Sequence, residues 1–245
     1  MSGHSKWSTI KHKKGAADAK RAKIFTKLIK EITVSAQLGG LDADANPRLR
    51  SAIQNAKGLN MPKDTIDRAI SKADRDASSW QETTFEGYLP HGIAIFVECL
   101  TDNNNRTVSN IRSIFTKCGG SLGTNGSLAF LFDRKGLITV PKGDMDPEEF
   151  ELELIDVGVE EIELEEDTFM VTTPLEEFHN TQKKLQEMGL EPESTELQRM
   201  PHETKELSAE ASQQILKIID KFEDDDDVQN VYHNMEVTDE MMSSM

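Results

Sequence analysis

The spacing of hydrophobic positions divides the chain into a helical first third and a mixed remainder. Apolar residues recur at helical spacing over 18–38, where a Gly-Gly pair ends the pattern, then from Asn46-Pro47 to Gly58, and again after Pro62. Asparagine followed by proline is typical of a helix start, because its side chain caps free backbone N–H groups. The sequence therefore predicts three short helices packed as a bundle.

A different pattern follows a polar stretch, 74–84, which we interpret as a linker. Predicted strands are 93–100, 128–132, 137–140, 162–164, 168–172, 193–197 and 228–233, and predicted helices are 106–117, 148–157, 176–188 and 209–222. The part from 137 to 199 has the order βαββαβ, and the last helix and strand complete the unit that begins at Ile93.

These elements predict an α+β fold. An N-terminal three-helix domain is followed by two α/β domains of the ferredoxin-like βαββαβ type, one inserted in the other. The expected boundaries are 1–80 for a basic arm and the helical domain, 81–134 with 203–245 for the discontinuous α/β domain, and 135–202 for the inserted α/β domain.

Charge is distributed very unevenly along the chain. The whole sequence carries a formal charge of −16, yet residues 1–75 hold 16 lysines and arginines against 7 acidic residues, and the rest holds 12 against 37. Among the first thirty residues the one acid is Asp18. A polyanion is the expected ligand of such a segment, because each ammonium held near a phosphate releases condensed counterions.

The candidate nucleic-acid-binding residues lie in the arm and on one stripe of the first helix. They are Lys6, Trp7, Lys11, His12, Lys13, Lys14, Lys20, Arg21, Lys23, Lys27 and Lys30. The helix lysines lie opposite the apolar face and lack the glutamates that normally alternate with lysine on a solvated face. Trp7 either packs the arm on the following helices, as large aromatics usually do, or stacks on a base. His12 adds positive charge at lower pH.

Catalytic chemistry finds no support in the spacing of residues. The glycine-rich segment 119–126 lacks the Lys-Ser/Thr of a nucleotide-phosphate loop, so we interpret it as a flexible connection. The acidic clusters at 160–167 and 224–227 lack the pattern of a calcium loop, and no Ser-His-Asp or Cys-His arrangement is recognisable. We expect no enzyme activity, no cofactor and no metal, and we retain a metal-dependent enzyme in the acidic domains as a remote alternative.

Two cysteines and the absence of long apolar segments bear on location. Cys99 and Cys118 form no disulfide framework and no metal motif, so we expect core thiols in a reducing compartment. No stretch is apolar for long enough to cross a membrane, and the N-terminus lacks the apolar run of a secretory signal. We expect a cytoplasmic protein that does not engage membranes.

Several motifs resemble those of the YebC/PmpR family. The opening motifs are Gly3-His4-Ser5-Lys6-Trp7, Ile10-Lys11-His12-Lys13, Asp18-Ala19-Lys20-Arg21 and Phe25-Thr26-Lys27. Those of the helical domain are Ala45-Asn46-Pro47-Arg48-Leu49-Arg50, Asn60-Met61-Pro62-Lys63-Asp64-Thr65-Ile66 and Arg68-Ala69-Ile70. Later ones are Glu86-Gly87-Tyr88, Leu100-Thr101-Asp102-Asn103, Asn105-Arg106-Thr107 and Asp226-Asp227-Val228-Gln229-Asn230-Val231-Tyr232. Leu89 and His91 depart from the family, whose members tend to carry glycines there.

The resemblance implies a helical N-terminal domain, two α/β domains and a cytoplasmic, non-enzymatic regulator of gene expression. Members are described as DNA-binding transcriptional regulators. Others, including the mitochondrial translational activator of cytochrome oxidase, look like ribosome-associated translation factors that bind ribosomal RNA or tRNA.

Two hypotheses on the ligand of the arm therefore stay open, with DNA first and the ribosome as its alternative. Phosphate contacts fix the position of a protein without reporting which nucleic acid is bound. In both, the acidic domains would contact a protein partner or orient the arm. A third hypothesis is a structural interaction protein whose basic arm binds an acidic protein.

Overall fold

A computed structural model of the protein describes residues 18–73 and 80–238, with side chains from Arg21 onward. Across this part of the chain the fold combines seven α-helices with two four-stranded sheets. The α+β class predicted from the sequence is thereby confirmed.

The helices and strands are numbered in chain order. The helices are α1 (Asp18–Gly39), α2 (Pro47–Gly58), α3 (Lys63–Ala73), α4 (Asn104–Lys117), α5 (Pro147–Ile155), α6 (Phe178–Glu187) and α7 (Ala209–Glu223). The strands are β1 (Gln81–Leu89), β2 (Ile93–Thr101), β3 (Ser121–Leu122), β4 (Phe132–Pro141), β5 (Glu161–Glu165), β6 (Thr168–Pro174), β7 (Ser194–Pro201) and β8 (Val228–His233). Two 3-10 turns cover Pro90–Gly92 and Ala129–Leu131.

The chain forms two compact units, which are described separately. The described residues of the first unit are 18–23, 80–133 and 199–238, and those of the second are 24–73 and 134–198. The chain crosses from the first unit to the second within α1 and again along β4, and it returns along β7. The three-domain division expected from the sequence stays a prediction.

The first unit is built on a sheet with the strand order β3-β1-β2-β8. Helices α4 and α7 cover one face of this sheet, and their side chains Phe115 and Phe222 meet edge to face with ring centroids 5.0 Å apart. Cys99 is buried in the same core, as the sequence predicts.

The structure corrects two predictions in the first unit. β1 begins at Gln81, inside the predicted linker, and the predicted strand 128–132 is a 3-10 turn followed by β4 from Phe132. The first residues of β1 are polar and largely exposed although they pair with β2 over the whole strand. Their side-chain pattern therefore matches a linker, and the order of this unit begins ββαβ instead of βαβ.

The two departures from the family motif, at 89 and 91, lie at the end of β1 and in the turn that leads to β2. His91 has a φ of +63°, in the left-handed region that favours glycine. Leu89 has an ordinary φ of −86° and packs its side chain in the core of the first unit. Histidine is therefore strained at 91, whereas leucine at 89 contributes buried apolar surface.

A buried carboxylate, Asp227, joins three parts of the first unit. It accepts hydrogen bonds from Nε of Arg106 at 3.1 Å and from Nη2 of Arg106 at 2.8 Å, and one from Thr107 Oγ1 at 2.8 Å. Its backbone carbonyl accepts the N–H of Leu100 at 2.8 Å. The start of α4, the end of β2 and the turn before β8 are thus held at one point.

Arg106 also binds a second carboxylate, which is exposed. Its Nη2 lies 2.8 Å from Asp102 Oδ1, and Asp102 is 49% exposed compared with 4% for Asp227. The hydrogen bonds that Arg106 donates to Asp227 first, and then to Asp102, raise the pKa of the Arg106 guanidinium above its ordinary value. The two carboxylates share a partner and differ in burial.

The second unit contains α1 from Ile24 onward, α2, α3 and a sheet with the order β5-β6-β4-β7. The chain order of this region is β4-α5-β5-β6-α6-β7. Across the sheet, the second strand of that order (β5) is followed by the third (β6), the first (β4) and the fourth (β7). This is the ferredoxin-like βαββαβ arrangement predicted for the region. Phe150 of α5 stacks on Phe169 of β6 with ring centroids 4.1 Å apart, which anchors the helix layer on the sheet.

Asn46 fixes the turn between α1 and α2. Its Oδ1 accepts the N–H of Leu49 at 3.1 Å, which caps α2 as predicted. Its Nδ2 donates to the carbonyls of Ser35 and Gly40 at 2.8 and 2.9 Å, which satisfies the last turn of α1. The side chain is buried, so one amide terminates one helix and starts the next.

Helix α2 also closes the outer edge of β7. Asn55 accepts the N–H of Thr195 at 2.7 Å through Oδ1 and donates to its carbonyl at 3.0 Å through Nδ2. Close by, a Cβ added at Gly58 would lie 1.9 Å from the carbonyl oxygen of Glu193, so position 58 accepts no side chain. The amide of Asn55 thereby substitutes for a neighbouring strand.

Replacing Asn46 by aspartate tests its double role. We expect Asn46→Asp to lower the free energy of unfolding by about 1–3 kcal/mol, because a carboxylate keeps the cap but cannot donate to the two carbonyls. Chemical denaturation measures the loss. Asn103→Asp is the matched control, since Asn103 is exposed and caps α4 by accepting the Arg106 N–H at 3.1 Å. The control should stay within about 0.5 kcal/mol of the parent; equal losses would contradict the role of Nδ2.

Replacing each carboxylate partner of Arg106 tests whether burial decides how much that carboxylate contributes to stability. We expect Asp227→Asn to lower the free energy of unfolding by about 1–3 kcal/mol, because buried donors lose a charged acceptor. Asp102→Asn removes the same charge from the same guanidinium in an exposed position and should change stability by less than about 0.5 kcal/mol. Urea denaturation of the two variants side by side measures the difference, and a larger loss for Asp102→Asn would refute this account.

Candidate nucleic-acid interface

The basic stripe predicted on the first helix lies on α1. Arg21 and Lys23 are exposed, whereas Lys27 and Lys30 are half-buried. Lysines at 23, 27 and 30 follow spacings of four and three residues, which keeps them on one face of a helix. The apolar side chains Phe25, Leu28 and Ile29 and the buried Ile32 and Ala36 pack against α2 and α3 on the opposite face. The structure therefore brings Lys23, Lys27 and Lys30 to one side of α1, whereas Arg21 lies one turn before Phe25 on the side of the apolar face.

The exposed length of this stripe is limited. The next position on the stripe, four residues after Lys30, is Val34, which is 1% exposed. All residues from 32 to 36 are buried, so α1 has no solvated face there. The cationic surface of α1 accordingly ends within its first four turns.

Lys23 has a carboxylate partner that the sequence analysis did not find. Its Nζ lies 2.6 Å from Oδ1 of Asp224, 201 residues further along the chain, and both residues belong to the first unit. Arg21, Lys27 and Lys30 also engage other groups of the protein. No periodicity in the sequence connects residues so far apart, and the acidic run 224–227 carries no signal that pairs it with Lys23.

The remaining candidates fall outside the described part of the chain. Lys6, Trp7, Lys11, His12, Lys13 and Lys14 precede residue 18, and Lys20 lies in α1 without a described side chain. Their assignment to the interface stays a prediction.

The glycine-rich segment 119–126 is held by an internal carboxylate, which corrects its interpretation as a flexible connection. Glu86 of β1 is 2% exposed and accepts the N–H of Gly126 at 2.7 Å and of Leu128 at 2.6 Å. Its own carbonyl accepts the N–H of Gly123 at 2.7 Å. Backbone donors that could have held a phosphate are therefore already bound to Glu86.

The second face of the first unit's sheet is packed. Phe96 and Tyr232 are buried beside Leu128, and Arg199 places its guanidinium 3.9 Å from the Phe96 ring centroid. Arg199 Nε also donates to Glu98 Oε1 at 2.8 Å. The buried aromatic rings of this face do not form an open platform for bases.

The acidic segment 224–227 is tied into the fold. Asp225 accepts Asn110 Nδ2 at 2.9 Å and the N–H of Asp227 at 3.0 Å, and Asp227 is bound to Arg106. Within residues 21–73 and 80–238, no group of three or more His, Cys, Asp or Glu side chains could hold a metal ion. Over the same residues, no helix is both long enough and apolar enough to cross a membrane.

Family models match both parts of the chain. One, described as the TACO1/YebC protein N-terminal domain, matches residues 5–76. Another, described as the TACO1/YebC second and third domain, matches residues 80–235. The two matches together span the helical segment and both sheets.

Individual relatives match over almost their full length. A protein of Geotalea uraniireducens is 52% identical and one of Geobacter sulfurreducens is 47% identical, each over 100% of both chains, and both are named probable transcriptional regulatory protein. The crystal structure of a conserved hypothetical protein from Aquifex aeolicus superposes with a TM-score of 0.81 at 40% identity, over 94% of this chain and 96% of that chain. These matches agree with the motifs that first suggested the resemblance, and the chain belongs to the TACO1/YebC family.

Proposed function

We propose that this protein is a nucleic-acid-binding regulator of gene expression, and specifically a DNA-binding transcriptional regulator. The observation that carries the proposal is the one-sided basic stripe of α1, which continues a lysine-rich arm on a protein of net charge −16. Lysine and arginine side chains on one helix face neutralise phosphates along a backbone. The names of the full-length relatives support a regulatory role.

In this proposal the arm and α1 bind the phosphate backbone together. Lys6, Lys11, Lys13, Lys14 and Lys20 supply ammonium groups, and Trp7 and His12 lie among them. The acidic remainder of the chain repels the same polyanion and so restricts binding to the arm and α1. The α/β units are then available to a protein partner. The role is cytoplasmic and includes no catalytic step.

A ribosome-associated translation factor is the second candidate. The family model that matches the chain is named for TACO1 as well as YebC, and some members of that family look like ribosome-associated translation factors. Ribosomal RNA and tRNA present the same phosphates as DNA, so the same basic residues serve either ligand.

The salt dependence of binding tests the arm. If about six lysines meet phosphates, the log–log slope of affinity against salt should be about −5 for duplex DNA. Replacing Lys11, Lys13, Lys14 and Lys20 together by alanine should reduce it to about −2, because each lost phosphate contact removes about 0.9 from the slope. Fluorescence anisotropy with a labelled duplex measures both slopes.

A charge-matched variant controls for the change in net charge. Lys57, Lys63, Lys72 and Lys117 are exposed and lie outside the arm and α1. Their replacement by alanine removes the same four charges and should leave the slope near that of the parent protein. Equal flattening by both variants would refute the arm as the binding site.

Sedimentation of cell lysate through a sucrose gradient at low salt, after crosslinking, separates the two ligands. Migration at the top of the gradient with DNA in the crosslinks is expected for a transcriptional regulator. Co-migration with ribosomal particles, lost in the arm variant, would instead identify a translation factor.

A further inference from the structure

The ion pair between Lys23 and Asp224 connects the basic stripe with the acidic segment 224–227. Nζ and Oδ1 are 2.6 Å apart, and the side chains are 47% and 68% exposed. An exposed pair of this kind is weak and exchanges readily with other ions. It therefore stabilises the fold little and leaves Lys23 accessible to a stronger anion.

The position of Asp224 is fixed by the fold on both sides. Its N–H donates to the carbonyl of Asp220 at 2.9 Å, which closes the end of α7. The next residue, Asp225, is bound to Asn110, and Asp227 is bound to Arg106 and Thr107. A carboxylate on such a constrained turn loses little conformational freedom when it pairs, so the contact is present before any ligand arrives.

A carboxylate and a phosphate compete for the same ammonium group. Both offer anionic oxygens that accept short, charge-assisted hydrogen bonds from lysine. While Asp224 is paired, its negative charge offsets the positive charge of Lys23 and repels an approaching phosphate.

We propose that Asp224 is an autoinhibitory contact that occupies the phosphate position on Lys23 and is displaced when nucleic acid binds. The inference rests on the proposed function, because it requires that the stripe of α1 binds phosphates. A dense row of phosphates can displace the carboxylate from Lys23, whereas a single isolated anion cannot. Displacement also releases Asp224, so binding at α1 affects the turn between α7 and β8.

Neutralising Asp224 is expected to strengthen binding. Asp224→Asn should lower the dissociation constant of a short labelled duplex DNA, and of a labelled RNA hairpin, about two- to five-fold, the range expected for an exposed ion pair. Asp220→Asn is the matched control, because Asp220 is exposed one turn earlier on α7 and the charge change is identical. The gain in affinity of the control should be smaller, because Coulomb attraction falls with distance and Asp224 is the carboxylate 2.6 Å from Lys23 Nζ.

A double-mutant cycle with Lys23 measures the effect of the Lys23–Asp224 contact on binding. In a Lys23→Gln protein the effect of Asp224→Asn should disappear, since there is no ammonium for the carboxylate to occupy. Thermal melts should show that Asp224→Asn and Lys23→Gln are folded like the parent. Persistence of the gain in the Lys23→Gln background would overturn the proposal.

The outcomes separate this inference from the function on which it rests. If the arm variant flattens the salt slope while Asp224→Asn and Asp220→Asn behave alike, the regulator remains and the autoinhibitory contact is refuted. If neither the parent nor Asp224→Asn binds either probe, both proposals are refuted.

Discussion

The first unit depends on one buried carboxylate, Asp227, which must find donors for its charge away from water. Arg106 and Thr107 donate to the carboxylate, and the N–H of Leu100 donates to the backbone carbonyl of Asp227, so the start of α4 is fixed against the turn before β8. Burying a charge is tolerated when it is paired and hydrogen-bonded. The motif residues around 101–107 and 226–232 are thus explained by the fold, because they build this contact. Their resemblance to the family therefore reports architecture.

Local signals allowed much of the fold to be predicted. Asn46-Pro47 and the glycine at 58 mark helix ends by chemistry that acts within a few residues, and the hairpin between β5 and β6 follows from alternation around an acidic turn. β1 could not be found in this way. Its first residues are polar because they are largely exposed, so the pairing with β2 leaves no hydrophobic pattern. The strand predicted at 128–132 is wrong for the opposite reason, because a hydrophobic pattern is present there without a strand. Leu128 and Phe132 are both buried but do not lie in one strand.

The candidate interface was predictable only as far as helical periodicity extends. Spacing placed Lys23, Lys27 and Lys30 on one face of α1, and the structure agrees. Spacing could not reveal Asp224 as the partner of Lys23, because that contact depends on how a distant turn is held. Nor could it locate the end of the stripe at Val34, whose burial is a property of the folded chain. Long-range contacts decide which charges of a periodic stripe meet solvent.

The amide of Asn55 has a consequence for how this chain can be divided. A fragment that begins at residue 80 would lack α2 and would present the N–H and C=O of Thr195 at an open sheet edge. Open edges recruit strands from other molecules. Asn55 of α2 therefore blocks strand pairing at the edge of β7. A fragment without α2 would self-associate through this edge even if its own core were intact.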